Sequence, residues 1–177
     1  TCVNAPGLWF DETDTQIGFL NGSTPLVRGY GGAVLATQGS AETAASLELY
    51  ASGSQIALGD LAQEGDILAA RALDDGFRVV VQGDGEGPGQ IVTIGLDGSV
   101  TSGGAYPGLP VDITLDVTST GRALDATGAL YIAAIDGQGD HAVVKLESGA
   151  SGAATVVYTE ADEPEVGTIS AVLVTGL

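Results

Sequence analysis

Arg71-Ala72-Leu73-Asp74 and Arg122-Ala123-Leu124-Asp125 are the same four residues, set 51 positions apart in the chain. The residues that follow each copy also match in kind: a Gly-containing turn, an apolar run, an acidic Gly-rich loop and a further strand-like segment. The apolar runs are 77–81 and 129–135. Self-similarity at a fixed spacing is the signature of a repeat architecture. The two copies therefore predict a chain built from repeated structural units.

A third and weaker copy lies upstream, where Arg28 precedes Gly31-Gly32 and a short apolar run. In all three copies a 13-residue step separates two strand-like positions. We therefore expect the three units to share one strand order, with the first residue of each step equivalent. The steps run from Val34 to Leu47, from Val79 to Val92 and from Leu130 to Val143.

The composition of the units predicts an all-β fold. Short runs rich in Val, Ile and Thr alternate with turns such as Asp97-Gly98, and Asp-Gly accepts the positive φ of a tight hairpin. Val79-Val80-Val81 is apolar on both faces, which is typical of a strand packed between two sheets. We expect one domain over 1–177, with antiparallel repeats of about 41–52 residues. The units run approximately over 24–60, 66–106 and 112–160, and 165–177 together with 8–20 complete a further unit.

Two segments resemble the blades of NHL-type or lyase-type β-propellers. Gln90 to Val100 is similar to an outer blade hairpin, and Ala129 to Asp136 is similar to a second blade strand. The resemblance implies a propeller-like array, either partial or four-bladed, with units of blade length. A β-trefoil and a β-sandwich are the alternatives for the fold.

The charge balance excludes several classes of partner. Five Lys and Arg stand against 23 Asp and Glu, a net charge of −18, so nucleic acid and anionic membrane surfaces are repelled. No apolar stretch is long enough for a transmembrane helix. We expect a secreted or cell-surface protein. Cys2 is the only cysteine, which leaves a lipid anchor at that residue as an alternative.

The acidic Gly-rich loops are the candidate metal sites. Asp84 and Glu86 lie in one loop, and Asp136 and Asp140 lie in the equivalent loop of the next unit. Calcium takes several oxygen ligands from flexible loops of this composition, so calcium is the one cofactor that the sequence suggests. The alternative is that these loops are ordinary solvated hairpin ends.

Arg28, Arg71 and Arg122 occupy one repeat position and are three of only five basic residues. We expect each of the last two to pair with a nearby carboxylate such as Asp74 or Asp125, because such pairing spares a buried charge. The functional alternative is an anion site made by convergent guanidinium groups.

The chain ends are the candidate interface. Val172, Leu173 and Val174 form an apolar run near one end, and Trp9 and Phe10 lie near the other. An uncapped repeat array exposes strand edges and an apolar face at each end. We therefore expect the ends to meet, within one subunit or between subunits.

Catalytic motifs are weak in this sequence. His141 is the only histidine, which excludes a multi-histidine metal centre, and a Ser-His-Asp triad would have to use it. The expected function is a non-enzymatic extracellular or cell-surface module for protein interaction or assembly, including binding to itself as a homo-oligomer. The alternatives are a calcium- or carbohydrate-binding surface module and, last, a propeller hydrolase or lyase.

Overall fold

The computed structural model describes residues 8–10, 16–19, 23–39, 41, 43–61, 65–82, 88–116, 121–149, 152–161 and 172. Across these ranges the chain is all-β, with fifteen strands, two short 3₁₀ turns and no α-helix. The strands form one two-stranded hairpin and three larger antiparallel sheets. The all-β class predicted from the sequence is therefore confirmed.

The N-terminal hairpin joins β1 (Leu8–Phe10) to β2 (Gln16–Phe19). The first sheet follows it, and its four strands pair in chain order. They are β3 (Ser23–Arg28), β4 (Val34–Gln38), β5 (Leu47–Ala51) and β6 (Ser54–Ile56). The 3₁₀ turns lie at Tyr30–Gly32, before β4, and at Ala44–Ser46, before β5.

The second sheet is also a four-stranded meander in chain order. Its strands are β7 (Ile67–Leu73), β8 (Gly76–Gln82), β9 (Pro88–Gly95) and β10 (Val100–Ala105). Asp97-Gly98 lies in the tight turn before β10, and Gly98 has φ +85° there, as the Asp-Gly pair predicts.

The third sheet repeats the meander with a divided first strand. β11 (Thr114–Leu115) and β12 (Arg122–Leu124) both pair with the same edge of β13 (Leu130–Ile135). β14 (His141–Leu146) and β15 (Ala154–Thr159) complete it. Each of the three predicted units thus contains one sheet.

The three sheets are stacked, and the second lies in the middle. Phe77, Val79 and Val81 on one face of β8 pack in a core with Leu35 and Leu49 of the first sheet. The opposite face of the second sheet joins a separate core with the third sheet, whose members include Val80, Leu130, Ile132 and Leu146. The prediction that Val79-Val80-Val81 is buried on both faces is therefore confirmed.

The 13-residue step is not a common register. Only Val79 and Val92 are direct cross-strand partners. Val34 pairs with Tyr50, and Leu130 pairs with Leu146. The predicted residue equivalence is therefore wrong, although the second and third strands of every sheet pair in the same antiparallel order. The first-sheet connection contains the 3₁₀ turn at Ala44–Ser46, whereas the third-sheet connection over 136–140 is shorter, and such connections set the register.

Candidate functional site

The three repeated arginines all lie on the first strand of their sheets. Arg28 ends β3, Arg71 lies within β7, and Arg122 begins β12. The middle one of these strands, β7, contacts both β3 and β12. The shared position seen in the sequence is thus a shared place in the architecture, along the side of the stack where the first strands are neighbours.

Two of these arginines line one cleft. Two adjoining cavities, of about 380 and 780 Å³, share Tyr30 and Ala72 in their walls. Arg28 lines the smaller cavity, and Arg71 lines the larger one. The larger cavity also takes in Leu73, Asp74, Asp75 and Ala126. We refer to the two cavities together as the first-strand cleft.

Tyr30 stands between the two cavities because of the glycines around it. Gly31 and Gly32 have φ +64° and +77°, which non-glycine residues rarely adopt, and they fold the chain into the 3₁₀ turn. The Gly29 amide donates to the Ala33 carbonyl at 2.8 Å and closes this turn. The turn leaves the Tyr30 side chain 64% exposed, whereas most large apolar residues of the sheets are buried.

Arg71 is held by the neighbouring sheet through a carbonyl and not through a carboxylate. Its Nη1 donates to the Leu124 carbonyl oxygen at 3.1 Å. Arg78, the direct cross-strand partner of Arg71, donates in the same way to the Ala126 carbonyl oxygen at 3.0 Å. Within the described residues no carboxylate lies in ion-pair distance of Arg71 or Arg122. The expected pairing of these arginines with acids is therefore wrong for the part of the chain that the structure describes.

Asp125, the acid that follows Arg122 in the repeat, bonds within its own turn. The Asp125 carboxylate accepts hydrogen bonds from the Thr127 amide, the Thr127 hydroxyl and the Ala129 amide at 2.6–2.9 Å. Burial raises the pKa of Asp125, but the Thr127 side chain and three backbone amides outweigh it and hold the pKa below its usual value. Asp125 therefore stabilises its own turn.

Asp136 has the same role in the next hairpin. Its Oδ1 accepts from the Gln138 and Asp140 amides, each at 2.9 Å, and Gly139 sits at φ +92°. Asp136 and Asp140 are thus brought together by a turn that one of them caps. Among the described residues no group of three or more His, Cys, Asp and Glu side chains is placed to hold a metal ion. Asp84 and Glu86 lie outside the described residues.

A buried Asp–His pair was not anticipated from the sequence. Asp116, 2% exposed, directly follows β11, and its Oδ2 lies 3.3 Å from Nδ1 of His141 at the start of β14. The Asp116 amide donates to the Ala133 carbonyl oxygen, and the His141 amide donates to the Glu160 carboxylate. Asp116 lies near the start of the third predicted unit, where no motif marks it. The lone histidine was the only available signal.

The Asp116–His141 pair resembles the Asp–His part of a general-base arrangement, in which the Asp orients the His ring. In the described ranges Nδ1 of His141 forms no hydrogen bond of normal geometry, so its contact with Asp116 is electrostatic. What the geometry supports for this pair is a link between β11 and β14.

Of the predicted interface residues, Trp9 and Phe10 lie in β1, which pairs with β2. Val172 is half-buried. Leu173 and Val174 fall outside the described residues, as does Cys2. The expected meeting of the chain ends therefore stays a prediction.

In the described part of the chain, none of the helical segments is long and apolar enough to cross a membrane. When the chain is compared with protein-family models, curated proteins and solved structures, no significant match is found.

Proposed function

We propose that this chain is a propeller-like, non-enzymatic module of an extracellular or cell-surface protein, and that it assembles with a second copy of itself. Three consecutive meanders stacked face to face, with their first strands side by side, support the propeller-like arrangement. The observation that carries the assembly proposal is β15, the edge strand of the third sheet among the residues that the structure describes.

The strand β15 is exposed and uncharged. Val156 and Val157 are 39% and 49% exposed, and the strand reads Ala-Thr-Val-Val-Tyr-Thr from Ala154 to Thr159. Natural edge strands are usually protected by charged residues, proline or bulges. Of these features, β15 has only a bulge-like shift in its pairing with β14, between Val143 and Val144.

A second copy is the partner that this strand fits. If two copies of β15 approach in antiparallel fashion about a twofold axis, Val156 of one copy faces Val157 of the other, and no charges are opposed. The remainder of a chain of net charge −18 repels its copy, and salt screens that repulsion. Association through an uncharged strand should therefore become stronger as the salt concentration rises.

Native mass and sedimentation measurements at low and high salt test this proposal. The wild-type protein should form dimers more readily at high salt, and Val156→Lys or Val157→Lys should shift it to monomer. Val111→Lys is the matched control, because Val111 is 88% exposed and lies outside β15. A wild-type protein that stays monomeric at every salt concentration would overturn the proposal, as would equal effects of all three variants.

A ligand-binding surface module is the second candidate function. The first-strand cleft favours it, because it combines charged, hydroxyl and aromatic groups in one concave surface. Calcium binding by the acidic loops stays part of this alternative, and a shift of the melting temperature on addition of calcium would support it.

A further inference from the structure

The first-strand cleft combines positive and negative side chains of this acidic protein. The sequence has five Lys and Arg, and two of them, Arg28 and Arg71, line the cleft. The surface as a whole repels anions, so an anionic ligand has few places at which to bind. The larger cavity, of about 780 Å³, is within the usual size range of small-molecule sites.

We propose that the cleft binds a short saccharide that carries one carboxylate, of the uronic-acid class. A guanidinium group matches a carboxylate in shape and charge and binds it through two parallel hydrogen bonds. Arg71 is positioned for this role, because its bond to the Leu124 carbonyl oxygen uses one N–H and fixes the group in place. A guanidinium has five N–H donors, so the described contacts of Arg71 leave donors for a ligand.

Tyr30 supplies the flat surface that a sugar ring needs. Tyr30 is 64% exposed, and it directly precedes the Gly31-Gly32 turn in the wall that the cavities of Arg28 and Arg71 share. An aromatic ring offers a large apolar face with little conformational entropy to lose on binding. A sugar ring packed on this face places its substituents in both cavities.

Asp74 and Asp75 favour a ligand that carries hydroxyl groups and only one negative charge. Both are exposed in the β7–β8 turn and line the larger cavity. Ionised carboxylates are acceptors only, and they bind neutral hydroxyl groups well. They also repel a second anionic group. The cleft therefore fits one carboxylate flanked by hydroxyls better than it fits phosphate or a polyanion.

Isothermal titration calorimetry with three probes tests the inference. The probes are an aldobiouronic acid with a single carboxylate, the methyl ester of the same disaccharide, and inorganic phosphate. We expect the acid to bind at least roughly tenfold more tightly than the ester, the difference that one charge-assisted contact supplies. Phosphate should bind more weakly than the acid.

Variants locate the binding. Arg71→Ala should remove the preference for the acid over the ester, and Tyr30→Ala should weaken the binding of both disaccharides. Arg122→Ala is the matched control, because Arg122 holds the same repeat position and does not line either cavity. Thermal melting of each variant shows whether it has folded.

The inference is overturned if wild-type protein does not bind the acid, binds acid and ester equally, or prefers phosphate. It is also overturned if Arg122→Ala reduces binding as much as Arg71→Ala. These outcomes do not depend on β15, so they separate this inference from the assembly proposal.

Discussion

The Tyr106 hydroxyl donates a 2.8 Å hydrogen bond to the Gly128 carbonyl oxygen. Tyr106 follows the last strand of the second sheet, and Gly128 lies in the β12–β13 turn of the third. The ring is 7% exposed within the core that the two sheets share. This single side chain therefore joins two repeats by both apolar packing and a buried polar contact.

We expect Tyr106→Phe to reduce the free energy of unfolding by about 1–3 kcal/mol, because it leaves the buried Gly128 carbonyl without this donor. Tyr131→Phe is the control, since Tyr131 is only half-buried on β13. Urea unfolding monitored by fluorescence measures both variants. Equal and negligible losses would show that the hydrogen bond does not stabilise the junction.

Because the Tyr106 hydroxyl is buried, we also expect the protein to lose stability at alkaline pH. Burial raises the pKa of Tyr106 well above the ordinary value of 10.0; the Arg78 charge lowers this pKa by less, and the Asp125 charge raises it further. Because the pKa is higher in the folded state, the contribution is complete below pH 10 and is lost as the pH rises through the folded value. Absorbance titration should find one tyrosine that ionises only as the protein unfolds. Tyr106→Phe should abolish that late step.

For the turn that contains Asp125 we expect the opposite pH dependence: its stabilising effect should be lost in acid. Its pKa is lowered in the folded state, so its contribution is complete above the unfolded value of 3.8 and is lost as the pH falls through the lower folded value. Asp125→Ala should be less stable than wild type at pH 7 by about 1 kcal/mol, and the difference should shrink in acid. Asp74→Ala is the control, since Asp74 is exposed in an equivalent hairpin position. A pH-independent difference would contradict this role for Asp125.

The repeats were visible in the sequence because each one repeats local chemistry. Apolar runs, Asp-Gly turns and a strand that is apolar on both faces all depend on neighbours within a few residues.

The register of the strands was not visible in the sequence. In the first sheet a 3₁₀ turn, closed by a hydrogen bond from the Thr43 amide to the Ser46 hydroxyl, precedes β5. In the third sheet a five-residue turn capped by Asp136 joins β13 to β14. Such connections set the register of the paired strands, and the spacing of the repeats in the sequence does not reveal their geometry.

The candidate site was visible only in part, for the same reason. The repeat identified Arg28 and Arg71, but the partner of Arg71 is a carbonyl group 53 residues away. Tyr30 gave no motif, because its exposure depends on how the turn around it packs on the next sheet. Long-range contacts of this kind follow from tertiary packing and leave no local pattern.

Gly29 provides a test of that packing. A Cβ at this position would lie 2.8 Å from Cζ of Phe77, which is completely buried in the core between the first two sheets. Gly29→Ala should therefore cost about 1–3 kcal/mol through overpacking. Gly108→Ala is the control, because a Cβ there meets nothing within 4 Å.

The double variant Gly29→Ala/Phe77→Leu distinguishes a clash from a general intolerance of substitution in the turn. The smaller Leu side chain makes room, so the two losses should sum to more than the loss in the double variant. Additive losses, measured by thermal and urea unfolding, would mean that Phe77 is not what restricts position 29.

The Asp116–His141 pair should be energetically coupled. Asp116→Ala removes a buried acceptor 3.3 Å from His141 and should cost about 1–3 kcal/mol in unfolding free energy at pH 7. A double-mutant cycle of Asp116→Ala and His141→Ala isolates the interaction from the other contacts of each residue. The Lys145–Glu147 pair, 2.7 Å apart and largely exposed, is the matched control. Exposed pairs contribute at most about 1 kcal/mol, so its cycle should give the smaller coupling. If the two cycles give the same coupling energy, burial of Asp116 has not strengthened the link between β11 and β14.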